Sequence, residues 1–214
     1  MSLELLGTSL SILLQGLVTT LLLSVAAIIG STLIGLLAAV LRTFGPWATD
    51  RAAKVYIELF RGTPVLITLM FIYFGVSYFG YAIDVFAAGV IGLSVYQGAY
   101  IAEVFRSGIE AVPRGQWEVS QILGLSRMQT FSTVVLPQTG RIVLPPLVGQ
   151  YLSLIKDTSI VSMIGMSELM HGGQAIVDRI GKPVEIYGLV AVIYFVVCFP
   201  LSQWVRHHDR RRLS

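Results

Sequence analysis

Charge and cysteine are what this sequence has least of. Only 13% of its 214 residues are charged, against about 25% in soluble domains. Hydrophobic residues make up 55%, and the mean hydropathy is +0.76. These values exclude the ordinary soluble globular class and place the chain among integral membrane proteins. A single cysteine, Cys198, excludes an intrachain disulfide; within a late apolar run it reads as a small packing residue. Histidine is also sparse. His171, His207 and His208 all fall outside the long apolar runs, which leaves an intramembrane enzyme without a base or metal set. His171 with the scattered carboxylates Glu168, Asp178 and Glu185 is a weak metal signal, and no metal is expected. No basic residue precedes the first apolar run, and Glu4 does, so a cleaved signal peptide is not expected and the first span is retained. No G-x-x-x-x-G-K-[ST] sequence occurs; "GKP" at 181–183 lacks the upstream glycine and the hydroxyl. ATP hydrolysis is therefore not expected from this chain.

What is present is a series of long apolar runs and 21 glycines, small residues that let membrane helices approach closely. A span needs about 20 mostly apolar residues. Five runs qualify, near 16–41, 57–79, 85–105, 143–165 and 186–205, so an all-α membrane protein forming a single domain over 1–214 is expected. Basic residues collect on the cytoplasmic side of short loops. An outside N-terminus puts Arg42, Arg51, Lys54, Arg61, Arg106, Arg114, Arg127, Arg141, Arg206, Arg210, Arg211 and Arg212 inside and only Arg179 and Lys182 outside. That asymmetry predicts a cytoplasmic C-terminus. The basic tail "VRHHDRRRLS" is then a topology anchor or a contact for anionic headgroups.

Residues 106–141 become the longest cytoplasmic loop, and its pattern predicts helix, glycine turn, helix. Val119, Ile122 and Leu123 share one face, extended by Trp117. Gly124 offers a left-handed stop. Ser126 with Gln129 forms a capping box for a second helix, whose apolar face is Met128, Phe131, Val134 and Val135 and whose end lies near Pro137. A DNA-binding helix-turn-helix is disfavoured, because spans tether the unit on both sides and its basic residues are only Arg114, Arg127 and Arg141. An amphipathic loop resting on lipid remains open. A docking platform, with the apolar side packed on the spans and the turn presented outward, accounts for the break.

Polar residues interrupt the spans at three places. Arg61, Gly62, Thr63 and Pro64 break the second run, either as a kink with Glu58 and Arg61 paired at i, i+3 or as a site where freed carbonyls line a cavity. Gln97, Gly98, Ala99 and Tyr100 form a polar, small-residue patch in the third. Lys156 and Asp157 lie in the fourth; adjacent helix residues do not face each other, so each needs its own partner or a water-filled cavity. Glu103, Arg106, Glu110 and Arg114 alternate in sign along one helix face and predict intrahelical pairs.

The stretch "IEAVPRGQWEVSQILGLSRMQTFSTVVLPQ" resembles the cytoplasmic "EAA" loop of bacterial ABC-importer permeases. Glu118, Val119 and Ser120 stand where Glu-Ala-Ala is usual, Gly124 supplies the family glycine, and Val135, Leu136 and Pro137 supply the close. "ELFRGTPVL" at 58–66, "GAYIAEVFRSGIEAVPRGQWE" at 98–118, "LPP" at 144–146 and "SLIKDTSIVSMIG" at 153–165 are similar to the polar amino-acid branch of that family. The resemblance implies a type I ABC-importer permease fold in the bacterial cytoplasmic membrane. Its coupling helix, with Glu118, Gly124 and Leu125, would dock into an ATP-binding subunit. It further implies two copies of that subunit, which would use ATP and magnesium, with no cofactor in this chain. A second permease protomer, identical or homologous, an extracytoplasmic amino-acid-binding protein docking near 166–185, and membrane lipid complete the implied partners; nucleic acid is not among them. The amino-acid route between two protomers would pass Thr63, Gln97, Gly98, Tyr100 and Asp157. A stand-alone secondary transporter or channel, with Lys156 and Asp157 as coupling charges, is the rival reading.

Overall fold

The computed structural model describes residues 3–213, with side chains from Ser9 to Trp204. The C-terminal basic residues Arg206, Arg210, Arg211 and Arg212, with any headgroup contact they make, lie outside the described side chains. Every regular element among the described residues is helical.

Helix α1 (Leu3–Phe44) ends where Gly45 and Pro46 break the run. An amphipathic helix α2 (Trp47–Gly62) follows, then the apolar α3 (Val65–Tyr78). Pro64 separates them, because it lacks the N–H that would continue the ladder and forces Thr63 into an extended conformation. The two helices are bent by 109°. The run expected as one span over 57–79 is thus divided. The amphipathic α2 packs against α1 and α4 through Ile57, Ala38 and Ala102, and only α3 is apolar throughout.

Helix α4 (Val85–Glu110) starts at Asp84, whose carboxylate accepts the Ala87 N–H at 3.1 Å. Helices α1 and α4 run in the same direction: Leu23 lies at Gly89, Gly30 at Ser94, and Gly35 at Gly98 and Ile101. Glycines make this approach possible. A Cβ on Gly35 would sit 2.6 Å from Ile101 Cγ2, and one on Gly30 would sit 2.3 Å from Ser94 Oγ.

Helix α7 (Leu136–Asp157) returns against α4 and gives way to a 3-10 segment, Thr158–Ile164. The run expected as a span over 143–165 is therefore divided between two helix types. The 3-10 segment stops at Gly165, in the left-handed region at φ 94°. Helix α8 (Leu169–Ile180) and helix α9 (Pro183–Leu213) complete the chain, separated by Gly181 at φ 70°. Leu23, Ala27, Leu69, Ala88, Leu93, Leu154 and Val161 form the main core where α1, α3, α4, α7 and the 3-10 segment meet.

Among the described residues, three helices are long and apolar enough to cross a membrane, and the bent α2–α3 pair makes a fourth. Helix α7 has 22 residues, about 33 Å at the helical rise, but Gln138, Arg141, Gln150, Lys156 and Asp157 lower its hydropathy. Length and polarity give different answers there, and of these polar residues Gln150 meets α4 through Gln97.

Candidate functional site

The first candidate region is the segment between α4 and α7. Pro113 ends the α4 turn and starts helix α5 (Arg114–Ile122). Gly124, at φ 79°, closes α5 in a Schellman arrangement: its N–H donates to Gln121 O at 3.0 Å and that of Leu125 to Ser120 O at 3.1 Å. The short α6 (Arg127–Thr130) then starts from the expected capping box. Ser126 N–H donates to Gln129 Oε1 at 2.8 Å, and Gln129 N–H to Ser126 Oγ at 3.3 Å. Two rigid caps back to back hold the turn.

The second helix does not end near Pro137. It passes through a π-turn, Phe131–Val135, directly into α7, with Pro137 in the first turn of α7. Proline cannot donate to the carbonyl four residues before it and crowds it; the wider π-turn, with bonds five residues apart, relieves that conflict. Helix α6, the π-turn and α7 are consequently one continuous helical body.

The apolar faces expected to pack on the spans are divided, part outward and part inward. Val119, Ile122, Leu123 and Met128 are exposed, Ile122 to 83%. The segment is anchored instead by Trp117, Phe131 and Val135, which pack on Ile109 and Val112 at the end of α4. Phe131 also meets Phe44 of α1 edge-on, with ring centroids 4.6 Å apart. Glu118 is exposed, Leu125 is half-buried, and Glu118 with Arg114, Trp117 and Phe44 lines a cavity of about 330 Å³.

Two of the expected intrahelical pairs form at this end, and the rest of the charge network differs from expectation. Arg106 bridges Glu103, at 2.9 Å from Nε, and Glu110. Arg114 is not part of this line, because α4 has already ended and Pro113 has redirected the chain. Arg61 does not pair with Glu58, which meets Lys54 at 3.7 Å; it reaches Glu103 at 3.9 Å and lies 5.7 Å over the Tyr100 ring. The bend at Pro64 turns Arg61 toward α4.

The second candidate region is the polar set inside the bundle. Gln97 is buried, and its amide donates to Gln150 O at 2.9 Å and Gln150 Oε1 at 2.7 Å, clasping α4 to α7. Gly98 is buried against Ile34 and the Tyr56 hydroxyl. Tyr100 OH donates to Arg61 O at 3.4 Å and lies 3.2 Å from Tyr96 OH. Thr63 Oγ1 donates to Leu59 O at 2.8 Å, covering a carbonyl at the helix break. Asp157 is half-buried on the side of Tyr96, whereas Lys156 is exposed and points to α9. The adjacent charges therefore diverge. Lys156, Tyr187, Tyr194 and Cys198 line a cavity of about 560 Å³. Leu66, Met163, His171 and Gln174 line one of about 570 Å³, and both cavities reach Ser159 and Met170.

Two polar groups went unnoticed in the sequence, Gln150 and Tyr151, whose hydroxyl is 2.8 Å from Thr32 Oγ1; Glu168, read there only as one of several scattered carboxylates, is fully buried. For Gln150 a signal was available, since with Asp157 seven residues on it makes one polar helix face.

Residues 31–214 match the family of binding-protein-dependent transport system inner membrane components. The chain belongs to this family. It is 41% identical over 202 residues to the glutamine transport system permease protein of Escherichia coli K12, covering 94% of this chain and 92% of that protein. It is 40% identical over 162 residues to the L-cystine transport system permease protein of Bacillus subtilis, covering 75% and 69% of the two chains. A solved amino acid ABC transporter described with histidines superposes with a TM-score of 0.90 at 33% identity, covering 99% of this chain and all of that one. An inward-facing methionine ABC transporter superposes at 0.74 with 20% identity, covering 99% of both chains, which supports the fold alone. This inner-membrane permease is the non-enzymatic pore component of an ABC importer. It works with a separate ATP-binding subunit and a substrate-binding protein.

Proposed function

We propose that this permease carries a polar amino acid inward across the cytoplasmic membrane by alternating access, with its α5–α6 turn seated in the ATP-binding subunit. The observation that carries the reading is the exposed apolar patch of Val119, Ile122, Leu123 and Met128, held by the Schellman and capping-box turns. A rigid, apolar, outward-facing turn is suited to a protein cleft. The names of the glutamine and cystine relatives support the substrate class. The concentration of arginines at the α5 end supports a cytoplasmic position for that end and an external N-terminus.

Two protomers, identical or homologous, would enclose the route, each engaging one of two ATP-binding subunits that use ATP and magnesium. Thr63, Tyr100 and Asp157 would border the route. Gln97 and Gly98 would stand behind them and set the spacing of α4 against α7 and α1. Glu118, Gly124 and Leu125 would form the coupling contact, and α8 would lie on the side where the loaded binding protein docks.

The test is co-purification with the ATP-binding subunit, followed by uptake of labelled amino acids into proteoliposomes. Ile122→Arg is expected to abolish association and lower ATP-driven uptake at least tenfold, since burying an unpaired charge costs well over 1.4 kcal/mol. Uptake by the isolated chain on an ion gradient without ATP would overturn the proposal.

A further inference from the structure

Glu168 is a carboxylate with no surface exposure, in a position the transport reading leaves unused. Its Oε1 accepts the His171 N–H at 2.8 Å and so caps α8. Its Oε2 accepts the Thr20 hydroxyl of α1 at 3.3 Å and the Tyr194 hydroxyl of α9 at 3.1 Å. Thr20 Oγ1 in turn accepts the Leu169 N–H at 3.1 Å. Helix α1 and the consecutive helices α8 and α9, from opposite ends of the chain, therefore meet on one side chain.

The backbone is fitted to this arrangement. A Cβ on Gly16 would lie 2.9 Å from the carbonyl carbon and oxygen of Glu168 and from Leu169 Cα, so α1 presses directly on the turn before α8. A second tie, from Tyr187 OH to Gln174 Oε1, joins α8 to α9. Around the clamp, Met170 borders both larger cavities, His171 and Gln174 border one, and Tyr194 borders the other. Whatever moves α8 relative to α1 and α9 reshapes both cavities, and it must first break the hydrogen bonds to Glu168.

We infer that Glu168 is a positioning residue that, through Thr20 and Tyr194, holds α8 in one of two arrangements. Releasing this clamp would be the step by which the outer side of the bundle responds to a loaded binding protein. A buried carboxylate suits the role because its hydrogen bonds are charge-assisted and directional. It is costly when partly satisfied, so the clamp is either made or broken. Losing one hydroxyl donor should loosen it without unfolding the bundle.

This inference rests on the importer reading. Its test uses the assembled complex in proteoliposomes, with ATPase measured with and without loaded binding protein. Tyr194→Phe is expected to raise unstimulated hydrolysis about fivefold, the population shift that one hydrogen bond supports, and so lower the stimulation ratio. Glu168→Ala should lower the ratio further, and adding Tyr194→Phe to it should change nothing more. A wild-type ratio in Tyr194→Phe overturns the clamp. So does a Glu168→Ala change that scales stimulated and unstimulated rates equally, as simple loss of protein would. Hydrogen exchange at the 169–172 amides of the purified full chain is expected to quicken in Tyr194→Phe; unchanged exchange overturns the clamp whatever the ATPase does. A wild-type complex without stimulation overturns the importer reading instead.

Discussion

Gly124 shows how one residue sets the geometry of a partner contact. Its φ of 79° lies in the left-handed region, where an L side chain is crowded by its own backbone. Nothing lies within 4 Å of the Cβ it lacks, so strain is the whole cost of adding one. Gly124→Ala is expected to destabilise the α5–α6 turn by about 1 kcal/mol and to weaken association with the ATP-binding subunit about fivefold. Titration of the purified permease with that subunit would measure the change. Its left-handed role was legible, because a glycine followed by Ser-x-x-Gln carries its own stop and start signals. The outward direction of Val119, Ile122 and Leu123 was not. Periodicity identifies a shared face but not what covers it, and here Trp117 and Phe131 take the inner positions.

At the scale of elements, the parallel packing of α1 on α4 is set by glycines at Gly30, Gly35, Gly89 and Gly98. Gly35→Ala would drive a methyl group into Ile101 and the Gly98 carbonyl, and an expected loss of about 1–3 kcal/mol follows from overpacking. Gly75 on α3 has open space around it and a helical backbone, so Gly75→Ala should leave stability unchanged or slightly improved. Thermal unfolding of the detergent-purified variants compares the two. The helices α1 and α4 were readable as long apolar runs. Those at 57–79 and 143–165 were legible only as apolar stretches. Their partition depended on Pro64, which redirects a whole helix, and on the 3-10 winding after Asp157, for which hydropathy has no signature. The Arg61–Glu103 pair was hidden for the same reason: pairing rules along one helix cannot anticipate a 109° bend that brings two helices together.

For the molecule as a whole, the composition alone determined the solvent, and the ordered motifs determined the family. The polar interior was only partly legible. Gln97 stood out as a polar residue in an apolar run, but its partner Gln150 lies 53 positions away. Glu168 sat in a segment polar enough to pass for surface, and its burial depends on Thr20 and Tyr194 arriving from opposite ends of the chain.

Because α1 and α4 run in the same direction, the chain must return between them, and α3 is the apolar segment that does so. With 14 residues, α3 measures about 21 Å, well short of the roughly 30 Å of hydrocarbon in a typical bilayer. Phe71, Phe74 and Tyr78 are exposed along it, leaving a short apolar surface open to lipid in a molecule whose α1 and α9 are longer. Such hydrophobic mismatch is met by local thinning of the bilayer at a cost that grows with acyl-chain length. Transport in proteoliposomes of graded chain length is therefore expected to be fastest in the thinner membranes. A rate independent of thickness would show that α3 is shielded from lipid in the assembled transporter.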